Sequence, residues 1–182
     1  MQLASWSRLY QAPSYHRGAK EHAYALEVLA ELLGGGTSSR LYRGLVVEQK
    51  LATSASSGYD GDNLDLSTFS LYASAQSGGG VGAIEQAMDA EIARLLKDGV
   101  TADEVARAKT SLQAGAVKAR DSLSGPARVV GAALATGSSI ADIEAWPDRI
   151  AAVTVADVNA AAKAVFDINY SVTAVLLPKA GG

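Results

Sequence analysis

Two histidines, His16 and His22, are the first side chains to consider, because imidazole serves enzymes both as a metal ligand and as an acid–base group. The 182 residues include no cysteine, which excludes thiol nucleophiles and cysteine zinc sites. On one helix, six residues correspond to about 600° of rotation, which would turn the two rings about 120° apart. A catalytic zinc ion usually has three protein ligands. We therefore predict that the histidines share no metal ion, and that His22 is a solvated or capping residue before a helix.

Short catalytic motifs are present only as incomplete matches. Glu21 and His22 form the end of the zinc-peptidase pattern H-x-x-E-H, but Gly18 stands where the leading histidine belongs. The stretch 137–141 begins like the G-x-S-x-G motif of serine hydrolases and ends on Ala141 instead of glycine. A Ser/His/acid triad assembled from distant residues stays open, although nothing in the sequence indicates one. From the residues alone we predict no catalytic, cofactor-binding or metal-binding residue in this chain.

Two glycine clusters, at 34–36 and 78–80, are predicted to be turns rather than phosphate sites. A phosphate-binding loop needs a lysine that reaches the terminal phosphate, and no lysine follows the first cluster at that spacing. After the second cluster, Ala83 stands where a dinucleotide fingerprint has its last glycine. The first cluster separates an apolar helix end from a hydroxyl-rich segment, which is typical of a helix–loop–helix corner. We expect Thr37 or Ser38 to cap the second helix.

Three aspartates, Asp60, Asp62 and Asp65, lie close together in a segment of turn-forming residues. They lack the full ligand spacing and the distal glutamate of a calcium-binding loop. The segment is therefore predicted to be an exposed hairpin turn between two strands.

Composition excludes several classes of function. Hydrophobic residues make up 48% and charged residues 19%, as in an ordinary globular protein, and the net charge of −3 without any basic run argues against nucleic-acid binding. The longest apolar stretch, Ala23–Leu33, is interrupted by Glu27 and Glu31 and is not expected to span a bilayer. The N-terminus lacks the basic and apolar regions of a signal peptide. The compartment stays open, with the bacterial periplasm and cytoplasm both compatible.

Predicted strands and helices follow one another in an order typical of an α+β fold. Polar and apolar residues alternate over 3–11, whereas leucines recur at helical spacing over 20–33. Thr101 with Glu104, and Thr154 with Asp157, mark two helix starts. Consecutive strands with helices grouped between them favour helices packed on one mostly antiparallel sheet, in a single domain of residues 1–182. The prediction comprises strands at 3–11, 51–59, 65–75 and 170–177, with helices at 20–33, 40–49, 82–97, 101–135 with a break at 124–126, 140–146 ended by Pro147, and 154–165.

Five segments, in their order and spacing, resemble the C-terminal domain of M16 zinc peptidases, the family of pitrilysin, insulinase and mitochondrial processing peptidase. The resemblance covers nearly the whole chain and implies an M16 peptidase-like α/β roll, in agreement with the α+β prediction made from the residues. The segments are Tyr10–Pro13, Val28–Tyr42, Val46–Ala52, Gly99–Lys109 and Trp146–Ile150.

The resemblance also implies that the chain is one half of a larger enzyme. Family members pair two rolls: the N-terminal roll carries H-x-x-E-H and zinc, and the C-terminal roll closes over the peptide substrate. Because H-x-x-E-H is missing, this chain is expected to be the second roll, with Met1 an artificial start or a domain boundary. The expected partners are the N-terminal half of the same subunit and peptide substrates. No cofactor is expected in this chain, and zinc is expected in the full-length protein. An exposed apolar face would allow the chain alone to form a homodimer.

One departure from the family concerns residues that touch substrate. Many C-terminal rolls carry an Arg and a Tyr seven residues apart, which help to hold the peptide and the transition state. The resemblance aligns these positions with Val46 and Thr53, and neither side chain offers a cation or a phenol to an oxyanion. Arg40 and Tyr42 align instead with the start of a helix. The resemblance therefore implies a zinc-bearing subunit whose partner subunit carries the Arg/Tyr pair.

The predicted function is that of a non-catalytic substrate-chamber domain in a zinc-dependent M16 metalloendopeptidase, inactive on its own. An inactive M16-like scaffold or assembly subunit is the alternative, and an intact H-x-x-E-H upstream of this sequence would favour the peptidase. A third hypothesis is an unrelated small hydrolase that uses a serine and a histidine.

Overall fold

A computed structural model describes residues 3–120 and 124–178 of the chain. The described part contains four strands, six α-helices, two short 3₁₀ turns and one π-helix. The strands are β1 Ser5–Ala12, β2 Ala52–Tyr59, β3 Ser67–Ala75 and β4 Ser171–Leu176. The α-helices are α1 Ala23–Gly34, α2 Val81–Asp98, α3 Ala102–Arg120, α4 Gly125–Thr136, α5 Ile140–Ala152 and α6 Val155–Val165. The 3₁₀ turns are Lys20–His22 and Ile168–Tyr170, and the π-helix is Tyr42–Glu48.

The four strands form one sheet in the order β2-β3-β1-β4, and every neighbouring pair is antiparallel. Alternation along β1 turns Trp6 and Tyr10 inward, where both are buried, and leaves Leu9 exposed on the outer face. Tyr10 lies opposite Phe69 of β3. This arrangement of helices with an antiparallel sheet confirms the α+β prediction.

The helices cover the inner face of the sheet with one continuous core. Helix α1 contributes Leu26, Leu29 and other buried residues at helical spacing. At the end of α6, Phe166 meets Tyr10 and Phe69 edge-on, with ring centroids 5.0 and 5.2 Å away. Edge-to-face packing of this kind adds about 0.5–1.5 kcal/mol per pair to the burial of the rings. No helix of the described residues combines the length and hydrophobicity needed to cross a bilayer.

The buried side chain of Arg8 links the central strand β1 to strand β4 and to helix α2. The Arg8 side chain is 5% exposed, and its Nε donates to Thr173 Oγ1 on β4 at 2.7 Å. One terminal nitrogen donates to Glu85 of α2 at 2.9 Å and the other to Asp89 on the same helix. The guanidinium also lies 4.9 Å from the centre of the Trp6 ring. Sheet and helix are thus joined by charge-assisted bonds as well as by apolar contact.

Several local predictions are confirmed and several are wrong. The capping box of Thr101 and Glu104 and that of Thr154 and Asp157 are both present. Helix α5 does not end at Pro147 but continues to Ala152, because a proline removes one helical hydrogen bond without preventing the following turn.

The segment after the glycine corner also differs from prediction. It is a π-helix, in which Gln49 N donates to Gly44 O at 3.0 Å. The helical segment begins at Arg40, and no side chain, from Thr37 or Ser38 or otherwise, caps the π-helix within it. Ser39 stabilises the corner instead, since its hydroxyl donates to Gly36 O at 2.6 Å.

Candidate functional site

The described residues do not provide a zinc site. No group of three or more His, Asp or Glu side chains among them is placed to hold a metal ion. His16 lies in an irregular segment and His22 in a 3₁₀ turn, so the two histidines do not lie on one helix. Zinc needs imidazole and carboxylate donors at about 2.0–2.2 Å, converging on one point. The donors present here do not fit the ion, and no step of any reaction is assigned to a metal on this chain.

The structure does bring together a serine, a histidine and an aspartate that the sequence analysis left apart. Gly137 ends α4 with a left-handed φ of 98°, and Ser138 follows it directly. His16 Nε2 lies 3.1 Å from Ser138 Oγ, and that hydroxyl donates to Asp62 Oδ1 at 2.9 Å. Asp62 also accepts a bond from Thr136 Oγ1 at 2.8 Å. The aspartate predicted to lie in an exposed turn therefore anchors the β2–β3 loop to the end of α4.

Hydrogen-bond direction separates this cluster from a hydrolytic triad. The Ser138 hydroxyl has one proton, and it is used in the bond to Asp62. His16 Nε2 must then donate to Ser138 Oγ rather than take its proton. In a triad, serine and aspartate bind opposite nitrogens of the imidazole, whereas here Nε2 faces the serine and lies 3.8 Å from Asp62. The contact is a structural link between three loops and gives the serine-hydrolase hypothesis no base.

The stretch that resembled a serine-hydrolase motif is a helix junction. Ser139 accepts a bond from Asp142 N, and the Asp142 carboxylate accepts one from Ser139 N, which together form a capping box for α5. Hydrogen bonds from Ser139 and from Arg149, at 2.9 Å from Asp142, lower the pKa of this carboxyl. The spacing Ser-x-x-Asp was the signal for this cap, and the sequence analysis did not use it.

Arg40, which aligned with a helix start rather than with a substrate-binding position, has a structural role. Its Nε and Nη2 donate to the two carboxylate oxygens of Glu104 at 2.6 and 2.8 Å, and Nη2 also donates to Gly99 O at 3.0 Å. The bond from Arg40 lowers the pKa of Glu104 to about 2. This bidentate pair joins the glycine corner to the first turn of α3.

The two positions aligned with the missing Arg/Tyr pair lie near the outer edge of the sheet. Val46 is half-buried in the π-helix, and Thr53 is exposed on β2. The register shifts between Ala52 and Ser54, which leaves Thr53 in a β-bulge with no paired residue on β3. Among the described strands β2 is an edge strand, paired only with β3.

Helix α1 approaches this edge strand more closely than any side chain would allow. A Cβ on Gly34 would lie 1.9 Å from Ser57 N and 2.5 Å from Ser56 C. The Ser57 hydroxyl donates to Ala30 O at 2.8 Å, so helix and strand are also hydrogen-bonded. The glycine corner is therefore a packing requirement that fixes the position of β2.

A cavity of about 840 Å³ lies between α1, α4, α5 and the β2–β3 loop. Glu27 of α1 lines it, and its carboxylate accepts hydrogen bonds from the Tyr15 hydroxyl and from Trp146 Nε1, the latter at 3.0 Å. Tyr24 and Tyr59 complete the aromatic lining around this carboxylate. The sequence analysis treated Glu27 only as an interruption of an apolar stretch. A charged residue on an otherwise apolar helix was the available signal.

The environment of Glu27 favours its protonated form. Burial raises its pKa to about 7, and the nearby charges of Asp60 and Asp62 act in the same direction, while the bonds from Tyr15 and Trp146 act against it. Among the described residues no Lys or Arg nitrogen forms an ion pair with this carboxylate. The cavity thus holds an acid that titrates near neutral pH.

The chain is similar to several known proteins. Residues 4–112 match the family described as the peptidase M16 inactive domain. The chain is 35% identical over 161 residues to an uncharacterized zinc protease of Mycobacterium leprae. The aligned residues make up 88% of this chain and 35% of that protein. It therefore spans about a third of the length of this curated relative.

Solved structures show the same fold. A protease from Helicobacter pylori superposes with a TM-score of 0.86 at 25% identity, over 98% of this chain and 42% of that chain. A structure from Bordetella parapertussis, named as an inactive peptidase domain, superposes with a TM-score of 0.85 at 19% identity, over 98% and 94% of the two chains.

Proposed function

Because the chain belongs to the M16 peptidase family through its inactive domain, we propose that it is the non-catalytic, substrate-chamber domain of a zinc-dependent endopeptidase. The match of residues 4–112 to that inactive domain carries the proposal. The similarity to a zinc protease about two and a half times as long supports it, since the remaining length would hold the catalytic half. Zinc and the water that it activates belong, in this proposal, to the N-terminal half of the same subunit.

The edge strand β2 is the feature that suits this domain to extended peptide. An unpaired strand edge offers backbone donors and acceptors to a peptide that adds as a further strand. The close contact of Gly34 with Ser56 and Ser57 holds this edge in place from behind. Thr53 lies in the bulge of the same strand, at the position where the sequence lacks a phenol. A partner subunit is expected to supply the Arg/Tyr pair.

The experiment compares the full-length protein with the chain of residues 1–182, using a fluorogenic peptide with and without a chelator. We expect chelator-sensitive cleavage by the full-length protein with its partner subunit, and none by the chain alone. Chelator-sensitive turnover by the chain alone would overturn the proposal. Should the full-length protein lack H-x-x-E-H and cleave nothing, the scaffold alternative would replace the peptidase.

A variant within the same assay tests the role of β2. Thr53→Pro removes a backbone N–H from the edge strand at a position without a paired residue on β3. Loss of one peptide–strand hydrogen bond, worth about 0.5–1.5 kcal/mol, should raise KM about two- to twelvefold and leave kcat within twofold. Thr53→Ala, which keeps the N–H, is the matched control. Equal KM values for both variants would exclude docking at this part of the strand.

A further inference from the structure

The cavity around Glu27 is a candidate ligand site separate from the proposed role of β2. We infer that it binds an organic cation with an apolar body, such as an alkylammonium or the basic side chain of a peptide. The argument stands on three features of the cavity: its aromatic lining, its unbalanced charge and its apolar wall. None of them takes part in the function proposed above.

Aromatic rings surround the carboxylate on several sides. Tyr15 and Tyr24 are stacked with ring centroids 4.8 Å apart, and Trp146 donates its indole N–H to the Glu27 carboxylate. The Arg149 guanidinium already lies 5.4 Å from the centre of the Tyr24 ring. The cavity wall therefore already makes a cation–π contact. Proteins recognise ammonium and guanidinium groups with aromatic rings, through cation–π contacts, and with carboxylates, through ion pairs.

The charges that line the cavity leave an excess of carboxylates. Glu27, Asp60, Asp62 and Asp142 face it together with Lys20, Arg149 and His16. Arg149 pairs with Asp142 at 2.9 Å, and the Asp62 carboxylate is held by Ser138 and Thr136. Glu27 and Asp60 therefore remain without a cationic partner among the described side chains. A bound cation would neutralise the less exposed member of this pair, Glu27, and offset the cost of its partial desolvation.

The wall of the cavity opposite Glu27 is apolar, which indicates that the rest of the ligand is apolar too. Val129, Val130 and Ala133 of α4 and Ile143 of α5 line the cavity with aliphatic groups. A volume of about 840 Å³ lies within the range of sites that enclose small ligands. The geometry fits a ligand whose charged end meets Glu27 and whose hydrocarbon part lies along α4.

The experiment follows the two tryptophan indole N–H signals in ¹H–¹⁵N NMR spectra of the chain. Trp146 donates to Glu27, whereas Trp6 is fully buried in the core and its N–H has no hydrogen-bond partner among the described residues, so Trp6 is an internal reference. Trp146→Phe assigns the signals. Hexylammonium is titrated first, with hexanol as the neutral analogue of equal length. We expect hexylammonium to shift the Trp146 signal in a saturable way, to leave Trp6 unmoved, and to bind at least tenfold more tightly than hexanol.

Two variants test the carboxylate. Glu27→Gln keeps the shape and the acceptor for Trp146 but removes the charge, and should weaken hexylammonium binding at least tenfold. Glu31→Gln is the matched control, because Glu31 lies one turn along the same helix and does not line the cavity. The affinity of the Glu31→Gln variant for hexylammonium should equal that of the original chain. Since Glu27 has a pKa of about 7, the affinity should rise about tenfold from pH 6 to pH 8 and lose this dependence in the glutamine variant.

A second titration distinguishes a free amine from the basic side chain of a peptide as the ligand of the cavity. An acetylated, amidated peptide with one lysine among alanines is compared with its norleucine counterpart. Tighter binding of the lysine peptide than of hexylammonium identifies a peptide side chain, and the reverse order identifies a free amine; either order supports the inference. Equal binding of hexanol and hexylammonium, unchanged binding in Glu27→Gln, or no saturable shift of Trp146 by any cation would overturn it. The hexanol comparison uses the unsubstituted chain and does not depend on the folding of a variant.

Discussion

Replacing Gly34 by alanine tests whether direct backbone contact holds the end of α1 against β2. The added Cβ would lie 1.9 Å from Ser57 N and 2.5 Å from Ser56 C. Favourable contacts between non-bonded heavy atoms lie near 3.5–4.0 Å. Because both neighbours are backbone atoms of a strand, neither can rotate away. Helix and strand must therefore separate by about 1.5 Å.

The expected cost combines three terms. Overpacking of a filled contact costs about 1–3 kcal/mol. Separation of the two elements breaks the bond from the Ser57 hydroxyl to Ala30 O, which contributes about 1 kcal/mol. Against these two costs, the higher helix propensity of alanine stabilises the folded chain by about 1 kcal/mol. We expect Gly34→Ala to lower the free energy of unfolding by about 2 kcal/mol.

The same substitution elsewhere in the chain should have the opposite sign. Gly115 lies within α3, and a Cβ there would meet nothing within 4 Å. Gly115→Ala should therefore raise the free energy of unfolding by about 0.5–1 kcal/mol. Urea unfolding followed by circular dichroism measures both variants. If Gly34→Ala proved neutral or stabilising like Gly115→Ala, the contact between α1 and β2 would not be as described.

Two carboxylates should give opposite pH profiles of stability. Burial raises the pKa of Glu27 from 4.5 to about 7, so its contribution is present below pH 4.5 and lost as pH rises through 7. As pH rises from 5 to 8, the stability of Glu27→Gln should increase by about 2.5 kcal/mol relative to that of the original chain, and parallel profiles in urea unfolding would contradict this. The bond from Arg40 lowers the pKa of Glu104 from 4.5 to about 2, so that contribution is present above pH 4.5 and lost as pH falls toward 2. Glu104→Gln should cost about 2 kcal/mol at pH 7, reduced by solvent screening of the pair, and nearly nothing at pH 2; a constant difference would exclude the ion pair as its cause.

Features encoded by neighbouring residues were predictable from the sequence. The alternation that turns Trp6 and Tyr10 inward, and the caps at Thr101 and Thr154, depend on side chains within a few positions of one another. The order of the strands did not follow from such signals, because β1 pairs with β4 across almost the entire chain.

The parts of the site that escaped prediction depend on distant contacts. His16 and Ser138 are 122 positions apart, and Glu27 and Trp146 are 119 apart. No local pattern marks such pairs as neighbours. The π-helix at Tyr42–Glu48 was predicted as an ordinary helix, because its hydrophobic spacing does not distinguish five-residue from four-residue hydrogen bonding.

The pairing of the first strand with the last has a consequence for how this domain is joined to others. Ser5 lies opposite Leu176, so the points where the polypeptide enters and leaves the sheet are side by side. In a longer protein, the segments before and after this domain can therefore start from neighbouring points on its surface. No linker has to run across the domain to bring those two segments together. The same adjacency suits the domain to circular permutation, with new ends placed in the exposed loop 76–80 between β3 and α2.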